Sequence, residues 1–480
     1  MSLSDNADPK VASSTPHAAP SAGPARAKRR RALTVVLACL AVVVTVAAAG
    51  GLLWQIAAVA VPRTGTITAP EAYPPAAPAP VLAASDADAP VPDLQSVLPA
   101  LLTDERLNGS LSASFADALT GEVLFEQDGS KPLAPASSMK VVTAVAALEH
   151  LGPQFRIPTT VVAGPTEDSV VLVGLGDVTL TVDGEGYYNE YATGSSLAEL
   201  AEAVLEARGG TAPTTVYLDT SLFTDSVSAQ GVDPADLNLY TAPMTTIMLD
   251  GGRIDNTQKY TPHHTDPAMV AAQKFAELLG ADTAVEGVAE DGAEELATVY
   301  SAPIAALVDS FILTSDNLLT DAVALQTALA VEGSMTWAAM ATVHQSTLED
   351  LGVDTTGLVF HDGSGLSPED RMTASAFTQL LLGAAETPAA TVFESLPVAG
   401  YSGTLAGRFD TAEEGMGVVR GKTGTLSEPT GVISLTGTLT TVDGRQLIFS
   451  MISNGHARYT EGSVETAMDE ITTAVSLCGC

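Results

Sequence analysis

Near the start of the second quarter of the chain, a serine and a lysine stand three residues apart at the head of an almost wholly apolar run. Val141, Val142, Ala144, Val145, Ala146, Ala147 and Leu148 leave no polar stripe, the pattern of a helix buried all round and the element around which the rest is organised. Positions i and i+3 share a helical face, so Ser137 and Lys140 can touch, whereas Ser138 points elsewhere. Gly152 supplies a C-terminal stop. A lysine in such surroundings is desolvated, which disfavours its charged form and makes it a better base. A hydroxyl nucleophile needs a base within reach. Ser-x-x-Lys also arises by chance, so its weight depends on what accompanies it.

The 480 residues suffice for two or three domains, and a 46% hydrophobic content fits a globular protein with large cores. The formal charge is −36, and because residues 1–31 carry six basic and two acidic side chains, the remainder stands at −40. So acidic a surface repels phosphate backbones, and nucleic acid is excluded as a partner. Residues 1–31 read as a disordered, basic cytoplasmic head ending in Arg26-Ala-Lys-Arg-Arg-Arg31. Residues 32–54 carry no charge over 23 positions, long enough to span a bilayer. The basic cluster places everything after Trp54 outside the cytoplasm. A cleavable signal segment is the alternative, with Ala47-Ala48-Ala49 as its cleavage site, but the apolar run continues beyond it and favours an anchor. Residues 55–92 are a Pro/Ala-rich linker. Cys39 reads as an apolar filler, and Cys478 and Cys480 as a frayed tail. The exported part must then be stable through packing alone.

Folded sequence is expected from Asp93. Residues 111–118 and 122–126 read as strands around a Thr120-Gly121 turn. Residues 155–303 change character, with short β-rich runs at 159–163, 169–174 and 215–219 and helices at 196–207 and 266–279, which suggests an inserted domain. Helical patterns return over 309–330, 336–351 and 374–382. A hairpin follows around Asp443-Gly444, and a helix over 463–477 closes the chain.

Two further motifs follow in order. Ser315-Asp316-Asn317 alone is an ordinary helix N-cap, and Lys422-Thr423-Gly424-Thr425 alone an ordinary turn or strand end. Together with Ser137-x-x-Lys140 they form the signature of penicillin-binding proteins and class A β-lactamases. The chain resembles the D-alanyl-D-alanine carboxypeptidase/endopeptidases of the penicillin-binding-protein-4 type (peptidase family S13, class C low-molecular-mass penicillin-binding proteins). Gly174-Leu-Gly-Asp-Val-Thr-Leu is similar to a Gly-rich segment of that family, with Val178 where proline is usual, a departure assigned to a loop. Tyr240-Thr-Ala-Pro-Met, Leu249-Asp-Gly-Gly-Arg253, Asp362-Gly-Ser-Gly-Leu-Ser367, Leu396-Pro-Val-Ala-Gly400, Gly403-Thr-Leu405 and Arg408 also match. The 178 residues from Ser137 to Ser315 accommodate the insertion such proteins carry.

The resemblance implies an α+β, serine β-lactamase/penicillin-binding-protein-like transpeptidase fold. An antiparallel five-stranded sheet flanked by helices would come from 93–154 plus 304–480, with a β-rich inserted domain at 155–303. It implies a hydrolase with Ser137 as nucleophile, Lys140 as base, and Ser315 and Lys422 relaying a proton to the leaving amine. Asn317 would hold the substrate amide or the Lys140 ammonium. Thr423 and Thr425, helped by the Lys422 charge, would bind the terminal carboxylate. Gly424 belongs to the same strand, and Leu426 would border the pocket for the stem-peptide side chain. The implied partners are peptidoglycan stem peptides ending in D-Ala-D-Ala, and β-lactams as covalent inhibitors. The implied location is the extracytoplasmic face of a bacterial membrane. No cofactor or metal is implied; His263-His264 lacks a third ligand and reads as a polar loop. The alternatives are a serine β-lactamase, disfavoured by the absence of a Glu-x-x-Leu-Asn segment after Ser315, and a non-catalytic cell-wall binding protein.

Overall fold

The computed structural model describes residues 88–427, 431–457 and 459–479. The head at 1–31, the segment at 32–54 and most of the linker at 55–92 lie outside the described residues. Among the described residues no helix is long and apolar enough to cross a membrane.

The strands, in chain order, begin with β1 (Ser110–Asp117) and β2 (Val123–Gln127). Then come β3 (Pro158–Ala163), β4 (Ser169–Gly174), β5 (Asp177–Leu180), β6 (Thr215–Asp219), β7 (Ile247–Leu249), β8 (Thr283–Glu286) and β9 (Glu295–Tyr300). The last are β10 (Arg420–Leu426), β11 (Val432–Thr440) and β12 (Gln446–Asn454). One five-stranded sheet has the order β10-β11-β12-β1-β2, antiparallel throughout, as expected. Its two halves are about 300 residues apart in sequence, and β1 joins them by pairing with β12 from Ser110–Asn454 to Asp117–Leu447.

Alternation along β12 separates two cores, because successive side chains point to opposite faces. Phe449 and Met451 pack with Phe115, Leu435 and the helices Leu94–Leu101 and Glu461–Ser476. Ile448 and Ile452 face the other way, into the core shared by the helices Lys140–His150, Ile304–Thr314, Asn317–Glu332, Trp337–Asp350 and Ala374–Ala384. In that layer every residue from Lys140 to Leu148 is buried. Each enclosed Val or Leu there contributes about 1.5–3 kcal/mol.

Residues 158–300 hold the second sheet, order β8-β6-β4-β3-β9, and the pair β5-β7. It is a mixed sheet: β3 pairs antiparallel with β4 and β9, while β4-β6 and β6-β8 are parallel. Helices Leu197–Ala207 and Pro267–Leu279 cover it and build a third core. Val178 does not lie in a loop as expected. It sits in β5, 1% exposed, against the main helical core, because β5 pairs with β7 and turns that side chain inward. His263 is likewise buried, in a bridge opposite Arg253, with Nδ1 set against the Asn238 carbonyl. Cys478 is no frayed end: it is 8% exposed and disulfide-bonded.

The helical pattern over 309–330 falls in two helices, divided at the N-cap expected at Ser315-Asp316-Asn317. Ile304–Thr314 ends on Ser315 in the left-handed region (φ 59°, ψ 40°), and Asp316 caps the next helix by accepting from Leu319 N at 2.9 Å. A non-glycine residue held there costs about 1–3 kcal/mol and persists only when its surroundings fix it.

Gly424 governs how closely β10 approaches the turn carrying Ser137. A Cβ there would stand 2.2 Å from Ser434 Oγ and 2.7 Å from the Pro135 carbonyl oxygen. Gly424→Ala is therefore expected to destabilise the fold by about 1–3 kcal/mol in chemical denaturation, by overpacking. Unchanged stability would show that the contact gives way freely.

Candidate active site

Ser137 lies in a single 3-10 turn, Ala136–Met139, that runs directly into the helix Lys140–His150. The i, i+3 spacing does what helical geometry requires: Lys140 Nζ is 3.1 Å from Ser137 Oγ. Ser138, by contrast, points into the sheet, 2.8 Å from Ser434 Oγ. Lys140 Nζ also donates to Asn317 Oδ1 and to the Ser364 carbonyl oxygen, both at 2.7 Å. Those two partners only accept, whereas the serine hydroxyl can reverse its role. The short bonds thus fix two N–H groups and leave the third position of the nitrogen facing Ser137.

Lys140 is completely buried. Burial lowers its pKa from 10.5 to about 8, against the opposing pull of the Asp321, Asp362 and Asp316 carboxylates. Asp321 is itself raised well above the usual range, by burial first and then by Asp362. The same two acids shape the loop that receives Lys140. Asp362 accepts from Gly365 N at 2.5 Å and Ser367 N at 2.6 Å, and Asp321 accepts from Gly363 N at 2.9 Å. Gly365, at φ 76°, lets this loop touch the Ser137 turn, since a Cβ would fall 1.9 Å from the Ala136 carbonyl oxygen.

Lys422 extends from β10 beneath the cleft. Its Nζ donates to Ser315 Oγ at 3.1 Å and to the Thr423 carbonyl oxygen at 2.7 Å. Burial, then Lys140 and Lys259, push its pKa well below the ordinary value. Thr423 Oγ1 donates to Thr404 Oγ1 at 2.7 Å, and Thr425 Oγ1 lies 3.4 Å from Glu465 Oε1. Ser137, Ser315, Asn317, Thr423, Thr425 and Leu426 open onto one cleft of about 890 Å³. Lys140 and Lys422 lie buried behind that lining, and Gly424 spaces the strand without lining the cleft.

The Ser315–Asn317 turn is held from the connections between β5 and β8. Arg253 Nη2 pairs with Asp316 Oδ2 at 2.7 Å, both side chains nearly inaccessible. Tyr188 donates to the same oxygen at 3.3 Å, and the guanidinium lies 3.8 Å over the Tyr187 ring. Asn317 Nδ2 donates to the Tyr240 carbonyl oxygen at 3.1 Å, and Lys259 donates to the Thr314 carbonyl oxygen. Burial works to raise the Asp316 pKa, yet Arg253 and the Leu319 N–H hold it below the ordinary carboxylate value. Arg253, Thr404 and the acids at 321 and 362 received no role from the sequence. Arg253, Thr404 and Asp362 stand inside segments that marked the resemblance, the only signal that could have found them.

Removing one partner of a buried pair strands the other charge. Arg253→Met should therefore cost about 3–5 kcal/mol in chemical denaturation. The double variant Arg253→Met/Asp316→Asn should recover part of that loss, and strictly additive losses would show that the two do not act as a pair.

The model of the D-Ala-D-Ala carboxypeptidase 3 (S13) family matches residues 94–286 and 256–475. A carboxypeptidase of Mycobacterium tuberculosis is 37% identical over 383 residues, covering 78% of this chain and 81% of its own. The carboxypeptidase DacB of Mycolicibacterium smegmatis is 34% identical over 476 residues, 95% of this chain and 99% of its own. Penicillin binding protein 4 (dacB) of Haemophilus influenzae has a crystal structure with the same fold, at a TM-score of 0.65 and 18% identity. It covers 78% of this chain and 98% of that one. The chain thus belongs to the D-Ala-D-Ala carboxypeptidase 3 (S13) family of serine hydrolases.

Proposed function

We propose that the chain is a serine D-Ala-D-Ala carboxypeptidase/endopeptidase acting on peptidoglycan stem peptides through an acyl-enzyme on Ser137. The observation that carries this reading is the Lys140 nitrogen, tied by two short bonds to pure acceptors and turned toward the Ser137 hydroxyl. As Ser137 Oγ attacks the penultimate D-Ala carbonyl, its proton passes to Lys140. Backbone N–H groups of Ser137 and Thr425 form the oxyanion hole, usually the largest electrostatic contribution. When the C–N bond breaks, Ser315 delivers a proton to the leaving amine and is reprotonated from Lys422. Water then hydrolyses the ester.

Thr423 and Thr425 bind the terminal carboxylate. With the cleft empty, burial disfavours charge on Lys422; an arriving carboxylate favours the ammonium and so couples substrate binding to proton uptake. β-Lactams present a similar carboxylate and acylate the same serine. A Haemophilus influenzae relative with this fold has a crystal structure in complex with a β-lactam. The enzyme works outside the cytoplasm, held by residues 32–54, a reading supported by the basic cluster before that charge-free run. Cell fractionation should find it with the membranes, and recovery in the soluble fraction would reject the anchor.

Intact mass after incubation with a penicillin should show a stable adduct mapping to Ser137, absent from Ser137→Ala, with D-Ala release from a pentapeptide lost in the same variant. No adduct with the drug intact would leave a binding protein; drug hydrolysed without a lasting adduct would indicate a β-lactamase. Because a general base must be unprotonated, the acylation rate should rise with pH and level off above about 8. A flat profile between pH 6 and 9 would remove Lys140 from that role.

A further inference from the structure

β10 turns Thr423 and Thr425 to one face, because side chains two apart on a strand point the same way. Each hydroxyl already has an acceptor within the protein. Thr423 Oγ1 donates to Thr404 Oγ1 at 2.7 Å, and Thr425 Oγ1 faces Glu465 Oε1 at 3.4 Å. Glu465 lines the same cleft as both threonines and is half-buried there. Its place is built in: it stands in the second turn of the helix Glu461–Ser476, and Arg408 Nη2 donates to its backbone carbonyl at 3.0 Å. That guanidinium does not neutralise its side chain. Arg408 Nε and Nη2 are spent on Asp469, at 3.1 and 2.6 Å, in a pair almost closed to water. Burial disfavours charge on Lys422, and Lys259 is engaged with the Thr314 carbonyl. Among the described residues Glu465 forms no ion pair.

A hydroxyl carries one O–H, so Thr425 cannot donate to Glu465 and to a substrate carboxylate together. Two carboxylates around one hydroxyl also repel each other. We propose that Glu465 is a specificity-determining residue that competes for the Thr425 hydroxyl, holds terminal carboxylates to weak binding and drives the D-alanine freed by acylation out of the cleft. The proposal rests on the reading of Thr423 and Thr425 as the carboxylate site and deepens it. Once the C–N bond has broken, D-alanine keeps its carboxylate at Thr425 and carries a free amine. That amine can reverse the step: its nitrogen bonds to the ester carbonyl carbon, the bond to Ser137 Oγ breaks, and an amine proton returns to the serine oxygen. Repulsion by Glu465 shortens the stay of D-alanine, so that water takes its place at the ester.

Glu465→Gln keeps the shape and the acceptor oxygen and removes the charge. Binding is measured by calorimetry on the full chain carrying Ser137→Ala, with a pentapeptide ending in D-Ala-D-Ala and with the same peptide amidated at its C-terminus. Glu465→Gln should tighten the acid about tenfold, corresponding to about 1.4 kcal/mol, and leave the amide unchanged. The gain should shrink as salt screens the charge, and Thr425→Val added to the same chain should abolish it. With Ser137 intact, Glu465→Gln should raise the incorporation of labelled D-alanine into the pentapeptide. A ratio of acid to amide affinity that Thr425→Val lowers but Glu465→Gln leaves unchanged overturns the role of Glu465 and keeps the carboxylate reading. A ratio raised by Glu465→Gln but indifferent to Thr425→Val overturns the carboxylate reading instead, and a ratio moved by neither overturns both. Incorporation that occurs but does not rise overturns the expulsion of D-alanine. Absence of both incorporation and a penicillin adduct on the unaltered chain falls on the reading of Ser137, and calorimetry still decides Glu465.

Discussion

A lysine side chain with no access to water is the constraint on which the rest of this structure depends. Lys140 is held by acceptors from three separate parts of the chain: its own turn, the Asn317 helix and the Asp362–Ser367 loop. Burying an amine is tolerable only where its hydrogen bonds are made, and each of these partners must be fixed in turn. Hence the helix below it is enclosed on all sides, Asp321 and Asp362 organise the loop, and Gly365 lets that loop come within contact of the Ser137 turn.

The antiparallel sheet solves a second problem, bringing the ends of a long folded region together. β1 and β12 are neighbours although more than 300 residues separate them, and β10, at the sheet edge, delivers Lys422 and Thr423 to the cleft. Ser138, Ser434 and Gly424 form the small-residue seam where turn meets sheet, so the nucleophile and the second lysine are positioned by one contact. Period-2 alternation in β12 divides the apolar side chains between two cores and makes the sheet a wall rather than a surface.

The segment from β3 to β9 has its own sheet and core, yet it also takes part in the site. Arg253, Tyr188, the Tyr240 carbonyl and Lys259 all engage residues 314–317, where Ser315 adopts a conformation that non-glycine residues rarely hold. A strained turn flanked by two helices would relax without such partners. The intervening segment therefore stabilises the backbone that presents Ser315 and Asn317.

Local chemistry was legible in the sequence wherever a short-range rule governs it. The Ser137–Lys140 spacing, the apolar run behind it and the Asp443-Gly444 hairpin all follow from neighbours a few residues apart. The order of three short motifs further identified the fold. The helix N-cap chemistry of Ser315-Asp316-Asn317 was legible, but the sequence could not show that Ser315 takes a left-handed conformation or that Arg253, about sixty residues away, holds the turn. Nor could it show Val178 as core, since the pairing of β5 with β7 turns that residue inward. The Lys422 charge implied by the resemblance is likewise opposed by burial, which spacing does not reveal. Desolvation depends on what surrounds a group in space, and only the closed tertiary structure surrounds it.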